Sequence, residues 1–525
     1  MNSRTLMAAG SLMAGIWGGC TVGPDYVAPR TRLPESFETV AMTQPATALN
    51  TAPAQPVDLA HWWQSLNDPV LDSLITRAIQ SNLDLRMALA RLQESRAQEY
   101  IVAGGTLPFI GASGAVARGS GNNSTKGRIA PPLNAAANTT GLKEITQVVG
   151  FDSGWEIDFF GRFRRELEVA AADTQAAAEA RNVVLITLIA DVARAYMDLR
   201  AAQLRLDIAE QNIATGQQTL SVVQQRFDRG LTTELDVALA RRQVATELAT
   251  VAPLEEQVKQ SQHRLAVLLG QTPEALREEL KAVGKLPAPA QKAITGIPAE
   301  LLQRRPDIRQ AERRLAAENA RIGVATADLF PRLVLTAGFG LQGQGLGRIP
   351  ASDAMIWSVG PAASMPLLDF GRIDSTIMLE DLRTQELYYN YQRTVLAAVE
   401  EVDNAATGYG AQRDRLDHLA DAVDASQRAV TLATGRYERG LVDFLNVLDA
   451  QRQLYTLQDE YTIAQQTLVL QYVSLYKALG GGWESYQDIP PLRKPFPAVM
   501  AAGAEVLGRR PEPAPNPSAR SAGNP

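Results

Sequence analysis

At 525 residues, with 46% hydrophobic content and a net charge of −6, the chain can form several domains, and it is too acidic for a general nucleic-acid binder. Its single cysteine, Cys20, excludes an intrachain disulfide. Aromatics make up only 6% while alanine is frequent, a balance that suits long helices.

The first element is a leader. Arg4 precedes an apolar run from Leu6 to Trp17, then Gly18, Gly19 and Cys20. This is a positive start, a short apolar stretch and small residues at a processing site, too short to span a bilayer. Residues 1–19 therefore read as a signal peptide. "WGGC" resembles a bacterial lipobox, which makes Cys20 the lipidated first residue of the mature chain; Trp17 departs from the usual leucine. The alternative is an ordinary secretory signal that contains a cysteine. Thr21 follows the cysteine, which by resemblance to lipoprotein sorting favours the outer membrane. No later stretch reads as a membrane helix: "VVLITLIADVA" (183–193) is short and carries Asp191.

Beyond an N-terminal segment (20–71), the chain states its elements twice. "LDLRMALARL" (83–92) matches "PDIRQAERRL" (306–315), and "LPFI" (107–110) matches "FPRL" (330–333), each 223 residues on. "DFFGR" (158–162) returns as "DFGR" (369–372), and "RFDRGLTTELD" (226–236) as "RYERGLVDFLN" (436–446), now with their glycines 210 residues apart. The 13-residue excess of the first copy falls in a polar, Gly- and Asn-rich stretch, 119–141, which reads as a loop. The two copies are 72–270 and 304–479. An intervening connection (271–303), a C-terminal segment (480–508) and a Pro-rich, disordered tail (509–525) complete the chain.

Each copy reads helix, strand, strand, long helix, tight turn, helix. Strands are expected at about 108–118, 146–160, 332–342 and 355–368. In "VGFDSGWEIDF", Val149, Phe151, Trp155, Ile157 and Phe159 alternate with Gly150, Asp152, Gly154, Glu156 and Asp158. Such lengths suit tilted membrane strands of about 9–11 residues, one face apolar; a half-buried sheet in a soluble sandwich has the same period. Four strands cannot close a membrane barrel, which needs about eight, and open edges are not viable in lipid. Three chains would supply about twelve. Arg162 to Arg229 contains no proline and one glycine, Gly216, enough for a helix of ~100 Å. Arg372 to Arg439 also lacks proline. The repeated phrase lies between a long helix and a shorter return, with Gly230 and Gly440 suited to helix-ending left-handed turns. The fold class expected is mixed α and β.

The carrying motifs are "CTVGPDYVAP" (20–29), "RRPDIRQAERRLAAENARIGVATADLFPRL" (304–333), "PLLDFGR" (366–372) and "RYERGLVDFLNVLDAQRQL" (436–454). On these the chain resembles the TolC/OprM superfamily of outer-membrane efflux proteins, and within it the NodT-type lipoproteins. The resemblance implies a homotrimer with a twelve-stranded outer-membrane β-barrel, continued by a twelve-helix periplasmic α-barrel and girdled by a small mixed equatorial domain. It implies a lipid-anchored exit duct of a Gram-negative tripartite efflux system. The partners would be a periplasmic adaptor (membrane fusion) protein, an inner-membrane RND-type transporter and outer-membrane lipid. The competing functions are a duct for one-step protein secretion and a non-pore coiled-coil structural protein.

Little argues for catalysis, and no cofactor is expected; a soluble hydrolase is a distant third reading, because no nucleophile–base pair is visible. His61, His263 and His418 lie in separate segments without metal spacing, and no GxxxxGK[ST] loop is present. Leu445 and Asp449 are four apart, on one helix face; their counterparts in the first copy are Leu235 and Leu239. By resemblance, Leu445 and Asp449 form constricting rings in the pore, while Arg436 and Tyr437 tie neighbouring hairpins shut. The plainer reading pairs Asp449 with Arg452 at i,i+3. Also by resemblance, the adaptor docks on Arg229, Gly230, Leu231 and on Arg439, Gly440, Leu441; the plainer reading is turn chemistry alone.

Overall fold

The computed structural model describes residues 21–29, 59–118, 145–287, 304–344 and 355–486. The leader, Cys20, the 119–141 loop and the tail lie outside the described residues, as do parts of both the connection and the C-terminal segment. In chain order the elements are α1 (Pro69–Ser81), α2 (Leu83–Gly105), β1 (Phe109–Arg118), β2 (Ile145–Ile157), α3 (Arg162–Asp228), α4 (Glu234–Leu268), α5 (Pro306–Ala327), β3 (Arg332–Gln344), β4 (Met355–Ser364), α6 (Arg372–Glu438) and α7 (Phe444–Ala478). Both long helices have 67 residues and both returning helices 35. At 1.5 Å per residue these span ~100 and ~52 Å.

The strands form one antiparallel sheet in the order β1-β2-β3-β4. Phe151 pairs with Phe339, and Phe339 with Trp357. One face therefore carries Ile110, Val149, Phe151, Phe339, Trp357 and Val359, and the other Gly111, Asp152, Gly338 and Ser358. No helix lies across either face among the described residues. The apolar face stays open, with Trp357 72% and Phe151 61% exposed. Among the described residues nothing covers the face that a half-buried sandwich sheet would bury, which is the pattern of a membrane strand and not of a sandwich. No described helix is long and apolar enough to cross a membrane.

Two strand ends fall short of the sequence expectation. β2 stops at Ile157 instead of 160, because the Asp158 carboxylate accepts the N–H groups of Phe163 and Arg164 (3.2 and 3.1 Å) and so starts α3. β4 stops at Ser364 instead of 368, because the residues that follow turn into the corner that starts α6. There Asp369 repeats the device, accepting from Gly371 and Ile373 (3.1 and 2.9 Å). Gly161 and Gly371 both sit at φ 82°, a left-handed corner that disfavours a side chain. The DF(F)GR repeat is therefore the strand-to-helix corner.

The largest core sits at mid-length of the helices. Asp68 caps α1 through the Val70 and Leu71 N–H groups, and Pro69 occupies its first turn. Leu71, Leu74, Ile75 and Ala78 then fall on one face at helical spacing, fully buried against Leu185, Ile189, Val192 and Tyr196 of α3. Trp62 stacks on Tyr476 of α7 at 5.4 Å. Truncating Leu74 to alanine is expected to cost about 2–5 kcal/mol, and limited proteolysis should then cleave this collar before the helical tips.

Candidate functional site: the hairpin tips and the corner after Cys20

The repeated phrase closes each long helix in the same way. Gly230 donates its N–H to Phe227 O (2.8 Å) and Leu231 to Arg226 O (2.8 Å). Gly440 and Leu441 do the same to Tyr437 O (2.9 Å) and Arg436 O (3.0 Å). These are Schellman turns, with glycine at the left-handed position, φ 72° and 73°. The turn projects Leu231 and Leu441 outward, 61% and 68% exposed. Arg229 and Arg439 flank them at the surface, Arg439 bonded back to Gly435 O at 2.8 Å.

The two returning helices start differently. At α4 the Asp236 carboxylate accepts from Thr233 N–H (3.2 Å) and from the Thr232 and Thr233 hydroxyls. Burial alone would raise the Asp236 pKa, but these hydrogen bonds outweigh it and hold the carboxyl below its ordinary range. At α7 the same place in the turn is held by Asn446, whose amide reaches Asp443 O at 3.3 Å. A depressed folded-state pKa gives stability that is present above the ordinary value and lost as pH falls through the lowered one. Hydrogen exchange at residues 233–238, corrected for intrinsic rate, is therefore expected to accelerate below about pH 4.

An apolar knot joins both hairpins just above the tips. It contains Val223 of α3, Val237 and Ala240 of α4, Tyr437 of α6, and Phe444, Val447 and Leu448 of α7. Tyr437 is buried, its ring 5.5 Å from Phe444. The Arg226 guanidinium lies 4.8 Å from the Tyr437 ring centre and donates to Glu438 O at 2.9 Å. Tyr437 thus ties its own hairpin to the other hairpin of the same chain. The Tyr437 hydroxyl has no hydrogen-bond partner among the described residues. Arg436 is exposed. Leu445 is 61% exposed, and Asp449, one turn on, is exposed on the same face. No ion pair links Asp449 to Arg452 among the described residues, so the plainer pairing is not formed. In the first copy Leu235 is exposed as well, whereas Leu239 packs against the knot.

The segment after Cys20 is clamped to the strand-helix corner. Thr21 lies against Gly161, where a Cβ would sit 2.9 Å from the Thr21 Cα. Val22 N–H donates to Phe160 O at 3.2 Å. Gly23 packs on Gly323 so closely that a Cβ would come within 2.4 Å of the Gly323 Cα. Buried Arg165 donates to Val22 O, Gly23 O and the Asp25 carboxylate (3.1, 3.2 and 2.8 Å). The corner is where β2 ends, so the residue after Cys20 is fixed at the base of the sheet.

Sequence reasoning reached the glycines and the exposed leucines. It did not reach Arg165 or Arg226, whose partners are distant in the chain. Among the described residues no cluster of His, Cys, Asp and Glu could hold a metal ion.

The comparisons with known proteins agree with this geometry. The family model for outer membrane efflux proteins matches residues 74–271 and 297–481. Nodulation protein T of Rhizobium leguminosarum bv. trifolii is 30% identical over 89% of this chain and 95% of its own length. The toluene efflux pump outer membrane protein TtgF of Pseudomonas putida is 31% identical over 90% and 96%. The solved outer-membrane channel OprN superposes with a TM-score of 0.78 at 36% identity, covering 88% of this chain and all of that one. The chain belongs to the outer membrane efflux protein family.

Proposed function

We propose that this protein is the exit duct of a tripartite efflux pump, built from three copies of the chain. The observation that carries this reading is the single-layer sheet. Among the described residues its β1 and β4 edges are open and its apolar face is uncovered. Lipid tolerates neither an unpaired edge nor fewer than about eight strands. Joining β4 of one copy to β1 of the next satisfies both conditions. The two helical hairpins of each protomer then continue the barrel as a twelve-helix tube, with the mid-length core as its girdle. Cys20, one residue before the clamped Thr21, would carry its acyl chains at the base of the barrel.

The tips are the working end. Leu231, Leu441 and their flanking arginines would meet a periplasmic adaptor, and Leu445 with Asp449 would narrow the tube above it. The chain holds no nucleotide loop, so energy would come from an inner-membrane transporter. The names of relatives such as the toluene efflux protein favour small organic substrates over secreted proteins. Light scattering of detergent-extracted protein should give a trimer. Expression in a strain lacking its own exit duct, with the cognate adaptor and pump, should restore resistance to hydrophobic toxicants. A conducting monomer would overturn the trimer, and secretion of a protein without toxicant resistance would favour the secretion duct.

A further inference from the structure

The antiparallel seam between α3 of the first hairpin and α7 of the second is polar for three heptads. Asp198 accepts from Gln466 at 2.7 Å. Arg205 meets Asp459 through two bonds, 2.6 and 3.2 Å. Asn212 donates to Gln458 at 3.2 Å, and Thr219 accepts from Gln451 at 2.9 Å. The α3 members recur every seven residues, which keeps one stripe facing a partner helix. Asn212 and Gln451 are more than nine-tenths buried, so separating α3 from α7 parts each from its own partner and leaves amides unpaired. Both ends of the seam are apolar: the mid-length core above and the tip knot below.

A solvated helix surface would pair polar residues with their own helix neighbours. These rungs instead join segments more than 200 residues apart, and they are specific to one register. Moving α7 by one heptad, about 10.5 Å away from the tip, would set Asp198 against Asp459 and Arg205 against Arg452. Moving it the other way would set Asp198 against Val473, a fully buried apolar side chain. Asp198 already has its carboxyl pushed up by burial, against the hydrogen bond from Gln466 and the charge of Arg194. In that register it would lose the Gln466 donor and gain none.

We propose that the Arg205–Asp459 pair is the register key of this seam, a positioning contact that holds the second hairpin's tip at the depth of the first. The docking leucines and the Leu445–Asp449 face lie on the two hairpins separately. The duct reading needs them at a common depth, and this inference rests on it for that consequence alone.

The test is chemical and needs no transport assay, so it stands or falls separately from the duct. In the full chain, Thr219→Cys/Gln451→Cys is treated in isolated membranes with a short bismaleimide, and intrachain crosslinking is timed. Cys20 is the only native cysteine, so the introduced pair supplies the signal. Adding Arg205→Asp is expected to slow crosslinking about tenfold, while Arg205→Lys keeps it within about twofold. An unchanged rate with Arg205→Asp overturns the proposal. So does an equal loss with Arg205→Lys, which would assign the effect to packing of the guanidinium. If Arg205→Asp fails to accumulate, Arg205→Gln is read instead; about threefold slowing supports the key, and no slowing overturns it.

Discussion

Removing the Leu445 and Asp449 side chains together (Leu445→Ala/Asp449→Ala) is expected to raise the resting single-channel conductance by about threefold or more and to weaken cation preference. Both residues are exposed on one face of α7, so their loss opens space without emptying a core. Three Asp449 carboxylates around an axis would attract cations, and the attraction fades with salt on a Debye length of about 10 Å at 0.1 M. Asp449→Ala alone should therefore shift the reversal potential at low salt far more than at high salt. The control is Leu235→Ala/Leu239→Ala. There the first copy carries no acid, and Leu239 belongs to the apolar packing of the tip; this variant should lower stability without altering selectivity. Equal conductance and selectivity in wild type, double variant and control would reduce Asp449 to a surface residue.

The second large effect separates turn from docking. Gly440 needs its left-handed φ of 73°, and a Cβ there would meet nothing nearer than the Arg226 guanidinium at 3.9 Å. Backbone strain for an ordinary side chain is about 1–2 kcal/mol, and asparagine tolerates this region. Gly440→Asn is thus expected to fold, reach the membrane and conduct normally. If the tip docks an adaptor, the added side chain stands in that interface, and toxicant resistance should fall about tenfold, the equivalent of roughly 1.4 kcal/mol of binding. Gly230→Asn gives the parallel measurement at the first tip. Full resistance in both variants would make the phrase turn chemistry alone.

What the sequence exposed follows from backbone grammar. The tips were legible because glycine is the residue that takes a left-handed helix end at low cost, and the phrase occurs twice. The long helices were legible from an absence of proline over 162–229 and 372–439. Pro253 shows the limit of that rule, since it lies inside α4 without ending it; the helix is held on both sides by its packing on α3. The sheet's two faces were legible from alternation, but not the fact that no described helix covers either. The polar seam was invisible for another reason. Asp198, Arg205, Asn212 and Thr219 look like any solvated helix face until their partners on α7 are known. The family resemblance, not any local pattern, makes Arg436 and Tyr437 ties between neighbouring hairpins. The cation over the Tyr437 ring, Arg226, comes from the other copy of the same phrase, and no local pattern announces that.

The central claim is that this chain closes a pore only in company with its copies, and planar-bilayer recording tests it most directly. Full-length protein of trimer mass should insert as single steps of uniform, cation-preferring conductance, with no nucleotide or other energy source present. Folded, trimer-sized protein that never conducts, or a monomeric fraction that conducts with the same step, would contradict it.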